Sequence, residues 1–185
     1  MKSLFSLIAI GLLAMTLEAS DAGAQPAPEN VLVMELKDGI VKIEMLPDLA
    51  PQHVERIRTL TQQGFYDGIV FHRVIDGFMA QTGDPTGTGR GGSDLPDLPA
   101  EFSAEPFERG VIGMARSQSP NSANSQFFIT FAPARFLDRQ YTVWGRVVEG
   151  MEYVDMIKKA PEGDQSGTVR DPDKIISLKL EADAN

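Results

Sequence analysis

FHRVIDGFMAQTGDP occupies residues 71–85 and sets the reading of everything around it. Arg73 stands beside His72, with Phe71, Phe78 and Met79 close by, Gln81 two residues on, and Asp84-Pro85 closing the run. The mixture has the look of a site, one guanidinium among apolar walls. Yet no nucleophile is paired with an acid–base group. The same stretch breaks into two short apolar runs, IVFHRVI and FMAQTG, with turn residues between them. Runs of that length bounded by Gly and Asp are strand signals.

Outward from this stretch the pattern repeats. GVIGMA, QFFITFA and YTVWGRVVEG are further short apolar runs, punctuated by Gly, Pro, Asn and Asp. Upstream, VLVMELKDGIVKIEML alternates: Leu32, Met34 and Leu36 share one parity, as do Val41, Ile43 and Met45, with Asp38-Gly39 as a hairpin signal. Between them, Pro51 fits a first helical turn, Val54, Ile57 and Leu60 recur at helical spacing, and Gly64 is a stop. GMEYVDMIKKA, 150–160, reads as a second helix with Met151, Val154 and Ile157 on one face. KIISLKLEA alternates again through Ile176, Leu178 and Leu180. Many short strands and two helices suit a mainly β fold, a closed barrel with a helix over each open end.

The amino terminus, MKSLFSLIAIGLLAMTLEASDAGAQ, carries a positive n-region, an apolar run from Leu4 to Leu17 and the small-x-small triplet Ala22-Gly23-Ala24. This is the pattern of a secretory leader, with cleavage expected after Ala24. The apolar run is shorter than the roughly 20 residues that a membrane span requires. Residues 25–30 read as a flexible lead-in and 31–182 as one domain. Without the leader the chain keeps an acidic balance, and the whole sequence has a formal charge of −9. Scattered acidity makes nucleic acid and anionic membranes poor partners. No cysteine occurs, so an exported chain has no disulfide framework and its core alone carries stability. The short leader suggests a bacterial, periplasmic destination.

Several chemistries lack support. Gly87 to Gly92 formally matches G-x-G-x-x-G, but it runs into SDLPDLPAEF rather than a helix, which predicts a plain loop. Neither G-x-S-x-G nor H-E-x-x-H occurs. His53, near the start of the first predicted helix, is expected to be exposed. His72 alternates with Phe71 and Arg73, so it should face away from both and serve structure. Hydrolysis by a triad or by zinc has almost no residue support.

Three separated segments share one character: FHRVIDGFMAQTGD, then GMARSQSPNSANSQFFITFA (113–132), then RFLDRQYTVWGRVVEGM (135–151). Together they resemble the cyclophilin family of peptidyl-prolyl cis–trans isomerases, over roughly Val31 to Leu180. The resemblance implies a closed eight-stranded antiparallel β-barrel capped by two α-helices, with a proline-binding groove on its outer face. By position it implies Arg73 as the catalytic arginine. Phe78, Met79, Phe128 and Leu137 then wall the proline pocket. Gln81 helps to hold the arginine and substrate, and Ala115 and Gln126 are groove positions. Arg116 stands where many relatives have asparagine, whose contact with substrate is through the backbone. Phe136 stands where several eukaryotic members have tryptophan and Tyr141 where they have histidine, which implies weak cyclosporin binding.

Such a reaction calls for no cofactor or metal. Expected partners are unfolded or flexible proline-containing polypeptides, and a monomer is the default in the absence of any coiled-coil pattern. The alternative is a non-catalytic proline-peptide binding or chaperone module on the same fold. Phe127 and Phe128, adjacent on a predicted strand, should point to opposite faces, with Phe127 in the barrel and Phe128 in the groove.

Overall fold

Period-two patterning pairs the chain from its first hairpin onward. In the computed structural model, which describes residues 26–183, β1 (Val31–Leu36) pairs with β2 (Gly39–Met45) in antiparallel register, Leu36 opposite Gly39. The turn is therefore Lys37-Asp38, and Gly39 begins the second strand. Its missing side chain leaves space for the Tyr153 ring: a Cβ there would stand 2.5 Å from Tyr153 Cε2. The expected leader, residues 1–24, lies outside the described residues.

Six more strands complete one antiparallel sheet: β3 (Arg73–Ile75), β4 (Met79–Thr82), β5 (Val111–Met114), β6 (Phe127–Thr130), β7 (Val143–Glu149) and β8 (Ser177–Leu180). Their order is β3-β4-β6-β5-β7-β2-β1-β8. The sheet curls but does not close, which corrects the closed barrel expected from the sequence: β3 and β8 are edges, and no ladder joins them. Coil spans the seam instead. Isolated bridges pair Val70 with Lys174 and Arg73 with Thr168, and Phe71 N–H donates to Asp173 O at 2.8 Å. The segment between α2 and β8 holds Pro161, Gly163, Gly167 and Pro172. Proline offers no N–H to a ladder and these glycines favour turns, so this stretch makes single bridges rather than a strand.

The inner face encloses the main core, from Leu32, Met34, Val41 and Ile43 to Phe71, Phe127 and Trp144. Phe127 stacks edge-on against Trp144 at 5.4 Å between centroids. The outer face of the β3–β7 half carries a second apolar cluster: Met79, Phe107, Val111, Phe128, Ala134, Leu137 and Val143. Phe127 and Phe128 thus divide between the two clusters, as strand alternation requires. Both faces being covered, all four residues of β6 are buried.

Helix α1 (Pro51–Gln62) begins at the expected proline and lays Val54, Ile57 and Leu60 on the core. Its N-terminus has no cap from its own sequence. Glu101 supplies one from a distant loop, accepting Gln52 N–H at 3.2 Å and His53 N–H at 3.1 Å. A carboxylate there satisfies orphan donors and complements the helix dipole. The same carboxylate meets His53 Nδ1 at 2.6 Å. His53 is consequently fully buried, contrary to the exposed position expected for it.

Helix α2 is only Met151–Asp155, half the length the periodicity predicts. Beyond it, Lys158 N–H donates to Asp173 Oδ2 and Ala160 N–H to Val74 O. These bonds draw the chain off the helical path before Pro161, which disfavours a helical residue ahead of it. Val154 and Ile157 are still buried, and Met151 packs on the core. Ile176, by contrast, is exposed; Ile175 is the buried residue there. Two single-turn 3-10 helices, Pro28–Asn30 and Glu181–Asp183, lie against each other beside β1 and β8.

Candidate active site

One row of paired residues crosses four strands: Arg73 opposite Gln81, Gln81 opposite Phe128, and Phe128 opposite Gly113. Directly paired residues project from the same face, so β3, β4, β6 and β5 deliver these positions to the outer surface together. Met79, two residues from Gln81, shares that face. Gly113 leaves a gap in the row that the Phe128 and Phe107 rings fill. A Cβ on Gly113 would sit 2.6 Å from Phe128 Cζ and 2.7 Å from Phe107 Cε1.

The row forms the floor of a cavity of about 130 Å³, lined by Arg73, Phe78, Met79, Gln81, Ala115, Arg116, Phe128, Leu137 and Tyr141. Leu137 arrives on a single 3-10 turn, Arg135–Leu137. Phe107 stacks beneath Phe128 at 5.6 Å and Tyr141 meets Phe128 edge-on at 5.8 Å. Phe136 stands at the rim, 66% exposed, with its ring 5.3 Å from that of Phe78. Gln126 lies in an adjoining, more polar groove of about 550 Å³, walled by Gly89 to Ser93 and by Ala115 to Ser117. All the residues singled out in the sequence therefore converge on one surface.

Arg73 is fixed at three points. Its Nε donates to Ser166 O at 3.0 Å, and Nη1 donates to Gln81 Oε1 at 3.4 Å and, weakly, to Met79 Sδ at 3.9 Å. Half-burial lowers its pKa, while the nearby Tyr141 acts in the opposite sense. An arginine remains charged at neutral pH regardless. Arg73 lines the cavity, and its remaining guanidinium nitrogen, Nη2, makes no hydrogen bond within the described residues. Gln81 Nε2 donates to Gln126 Oε1 at 2.9 Å, and Gln126 Nε2 to Gly91 O at 2.8 Å.

Arg116 was singled out for its backbone, but its side chain has a task of its own. Nε and Nη2 donate to Gln140 O at 3.3 and 2.9 Å, and Nη1 donates to Ser117 O at 2.9 Å. Its guanidinium carbon lies 4.4 Å above the centre of the Tyr141 ring. The side chain thus straps the 116–118 loop to the 140–141 wall. His72 is buried and its pKa is lowered, first by burial; it does not line the cavity. Gly87 to Gly92 is a loop, as its composition predicts.

Two contacts had no residue-type signal in the sequence: the carbonyls of Ser166 and Gly91. Main-chain oxygens are the same whatever side chain they carry. The turn-forming composition of 161–170 predicts coil, but not that the coil would cross the seam to reach Arg73.

The family model described as cyclophilin type peptidyl-prolyl cis-trans isomerase/CLD matches residues 31–180. A protein of Brucella suis biovar 1, named "Probable peptidyl-prolyl cis-trans isomerase", is 52% identical over 189 residues, covering 96% of each chain. A mouse protein named peptidyl-prolyl cis-trans isomerase-like 3 is 43% identical over 134 residues, 69% of this chain and 81% of its own. Among solved structures, the cyclophilin AquaCyp293 from Hirschia baltica matches with a TM-score of 0.76 and 30% identity, over 85% of this chain and 76% of its own. A Cryptosporidium parvum cyclophilin-type isomerase, crystallised in the presence of the dipeptide Ala-Pro, matches with a TM-score of 0.73 and 28% identity, over 81% and 98%. With its strand order, its outer-face row and the match across nearly all the described residues, this chain belongs to the cyclophilin-type peptidyl-prolyl cis–trans isomerase family.

Proposed function

We propose that Arg73, set over the apolar cavity, drives rotation about Xaa-Pro bonds of flexible polypeptides. The observation that carries this reading is the fixed guanidinium at the edge of a pocket of phenylalanine, methionine and leucine side chains. Isomerisation makes and breaks no covalent bond. Its barrier, about 18–20 kcal/mol, is the loss of amide resonance as the C–N bond twists. Twisting localises the nitrogen lone pair, which then accepts a hydrogen bond. A guanidinium donor binds that nitrogen better than the planar amide, which is differential binding of the transition state.

One charged hydrogen bond contributes about 1.5–3 kcal/mol, whereas a 10⁵-fold acceleration needs roughly 7 kcal/mol. The apolar walls supply the rest by gripping the proline ring in a dry, preorganised site while the preceding carbonyl swings. Phe78, Met79, Phe128 and Leu137 hold the ring, Phe136 and Tyr141 flank it, and the backbone at Ala115 and Arg116 with Gln126 receives the neighbouring chain. The Ala-Pro dipeptide used with the Cryptosporidium relative accords with such a ligand. Phe136 and Tyr141, in place of tryptophan and histidine, favour weak cyclosporin binding.

The leader pattern supports export, with the periplasm as destination and exported proteins as clients; the protein acts as a monomer. A binding or chaperone role without turnover is the second reading, and Arg73 speaks against it, since holding a proline ring needs no guanidinium. Exchange NMR on a short Xaa-Pro peptide separates the two. Wild type accelerates exchange, and Arg73→Ala lowers kcat/KM by about 10²–10³-fold, the scale of losing one preorganised donor. Full activity in Arg73→Ala refutes the mechanism; peptide binding without exchange in folded wild type favours the binding module.

A further inference from the structure

Asp84 closes the opening motif, yet its side chain stays outside the cavity. It is 1% exposed and gathers the loop that follows it. Oδ1 accepts Thr86 N–H and Thr86 Oγ1–H, both at 2.8 Å; Oδ2 accepts Thr88 N–H at 3.0 Å and Gly89 N–H at 2.6 Å. Burial works against the charge, but the Thr86 and Gly89 bonds and the nearby Gly91 N–H outweigh it and hold the carboxyl at about 2. The turn is tight enough that a Cβ on Gly91 would collide with Asp84 Oδ1 and stand 2.9 Å from Thr86 Cγ2. Asp84 thereby fixes where the Gly91 carbonyl points.

That carbonyl begins a directional chain. A carbonyl only accepts and a guanidinium only donates. Gly91 O must therefore face the amide nitrogen of Gln126, at 2.8 Å, which turns Gln126 Oε1 toward Gln81. Gln81 Nε2 donates to it at 2.9 Å, and Gln81 Oε1 is left for Arg73 Nη1. Both ends impose the same polarity on the two amides. Without the carbonyl, Gln126 is free to flip, Gln81 with it, and an NH₂ would then oppose the guanidinium.

We propose that Asp84 is a positioning residue for Arg73, acting through the 84–91 loop and the Gly91–Gln126–Gln81 hydrogen-bond chain. This rests on the reading of Arg73 as the catalytic donor. Asp84→Asn keeps the shape but puts an NH₂ where backbone N–H groups now donate. In the exchange assay it lowers kcat about tenfold with KM nearly unchanged, the pattern of a misplaced transition-state donor. The Gln81 side-chain NH₂ and Arg73 Nε–H resonances shift with it.

The double-mutant cycle decides the route. In a Gln81→Ala background, Asp84→Asn causes no further loss, because the chain is already cut. Additive losses, an unchanged kcat, or a change in KM alone overturns the proposal. Thr86→Ala removes one hydroxyl donor and keeps the carboxylate; it serves if Asp84→Asn fails to fold, and gives a smaller loss that Gln81→Ala likewise abolishes. Arg73→Ala runs alongside: if it stays fully active the reading of Arg73 fails, whereas its inactivity beside unimpaired, folded Asp84→Asn sinks this inference alone.

Discussion

Arginine does two different jobs in the wall of one cavity. Arg73 presents a donor, whereas Arg116 spends its donors on the carbonyls of Gln140, Ser117 and Gln118 and lays its flat face on Tyr141. Arg116→Ala should loosen the Tyr141 wall without touching the reacting bond. A stack of this kind is worth about 0.5–1 kcal/mol, so KM should rise roughly two- to fivefold while kcat holds, measured in the same exchange assay. Arg116→Lys cannot fork to these carbonyls and should rescue little. A fall in kcat instead would place Arg116 in the chemistry. At this scale the sequence was generous: the residues named from their motifs converge on one surface. It was silent about Ser166 and Gly91, which act through their carbonyls, and it misplaced His53. An uncapped helix start gives no hint that Glu101, 48 residues on, will cover it.

Strands place the site by arithmetic. Because β3, β4, β6 and β5 run in one register, a slip of one residue in any of them would turn its contribution from the outer surface into the core. Gly113 belongs to this logic. Its backbone is ordinary, but the Phe128 and Phe107 rings occupy the place of a side chain. Gly113→Ala should cost about 1–3 kcal/mol through overpacking, seen in thermal unfolding, and should weaken peptide binding because Phe128 moves. An unchanged melting temperature would mean the rings shift freely. Strand identity was legible from alternation, and α1 from its spacing and proline. α2 was overread because Met151, Val154 and Ile157 keep helical spacing beyond the last helical residue, Asp155, while the donors that would extend the helix, at Lys158 and Ala160, go to Asp173 and Val74 O. Local periodicity carries no record of such distant competitors.

For the molecule as a whole, protonation sets a lower bound on working pH. His53 and His72 are both held below the ordinary histidine pKa, burial being the main cause in each. A folded-state pKa below the unfolded one means that the native state binds fewer protons, so stability is complete above about pH 6.5 and declines as pH falls through the native values. The carboxylates follow. Asp84 is held at about 2, and Asp155, Asp173 and Glu101 are also lowered by their partners despite opposing burial. Their stabilisation is present above about pH 4 and is lost below it; Asp84 alone accounts for about 2 kcal/mol. The melting temperature should therefore fall in two stages, gently below pH 6.5 and steeply below pH 4. A flat profile between pH 7 and 5 would show that the histidines do not couple to folding. The open sheet was beyond the sequence for a related reason: closure depends on whether the last coil can pair with β3, and prolines and glycines near α2 speak only of turns.

The contact between the Pro28–Asn30 and Glu181–Asp183 turns has a consequence of its own. To the packed core, a domain whose two ends touch is a necklace with its clasp at that point. Fastening the clasp with a short linker and cutting the thread elsewhere leaves every strand its neighbours. The cut must avoid the bead at Ser166, which grips Arg73 from across the seam, and the stretch from Asp84 to Gly91. A cut through the Lys37-Asp38 turn disturbs neither, so a circular permutant opened there keeps both the sheet and its groove.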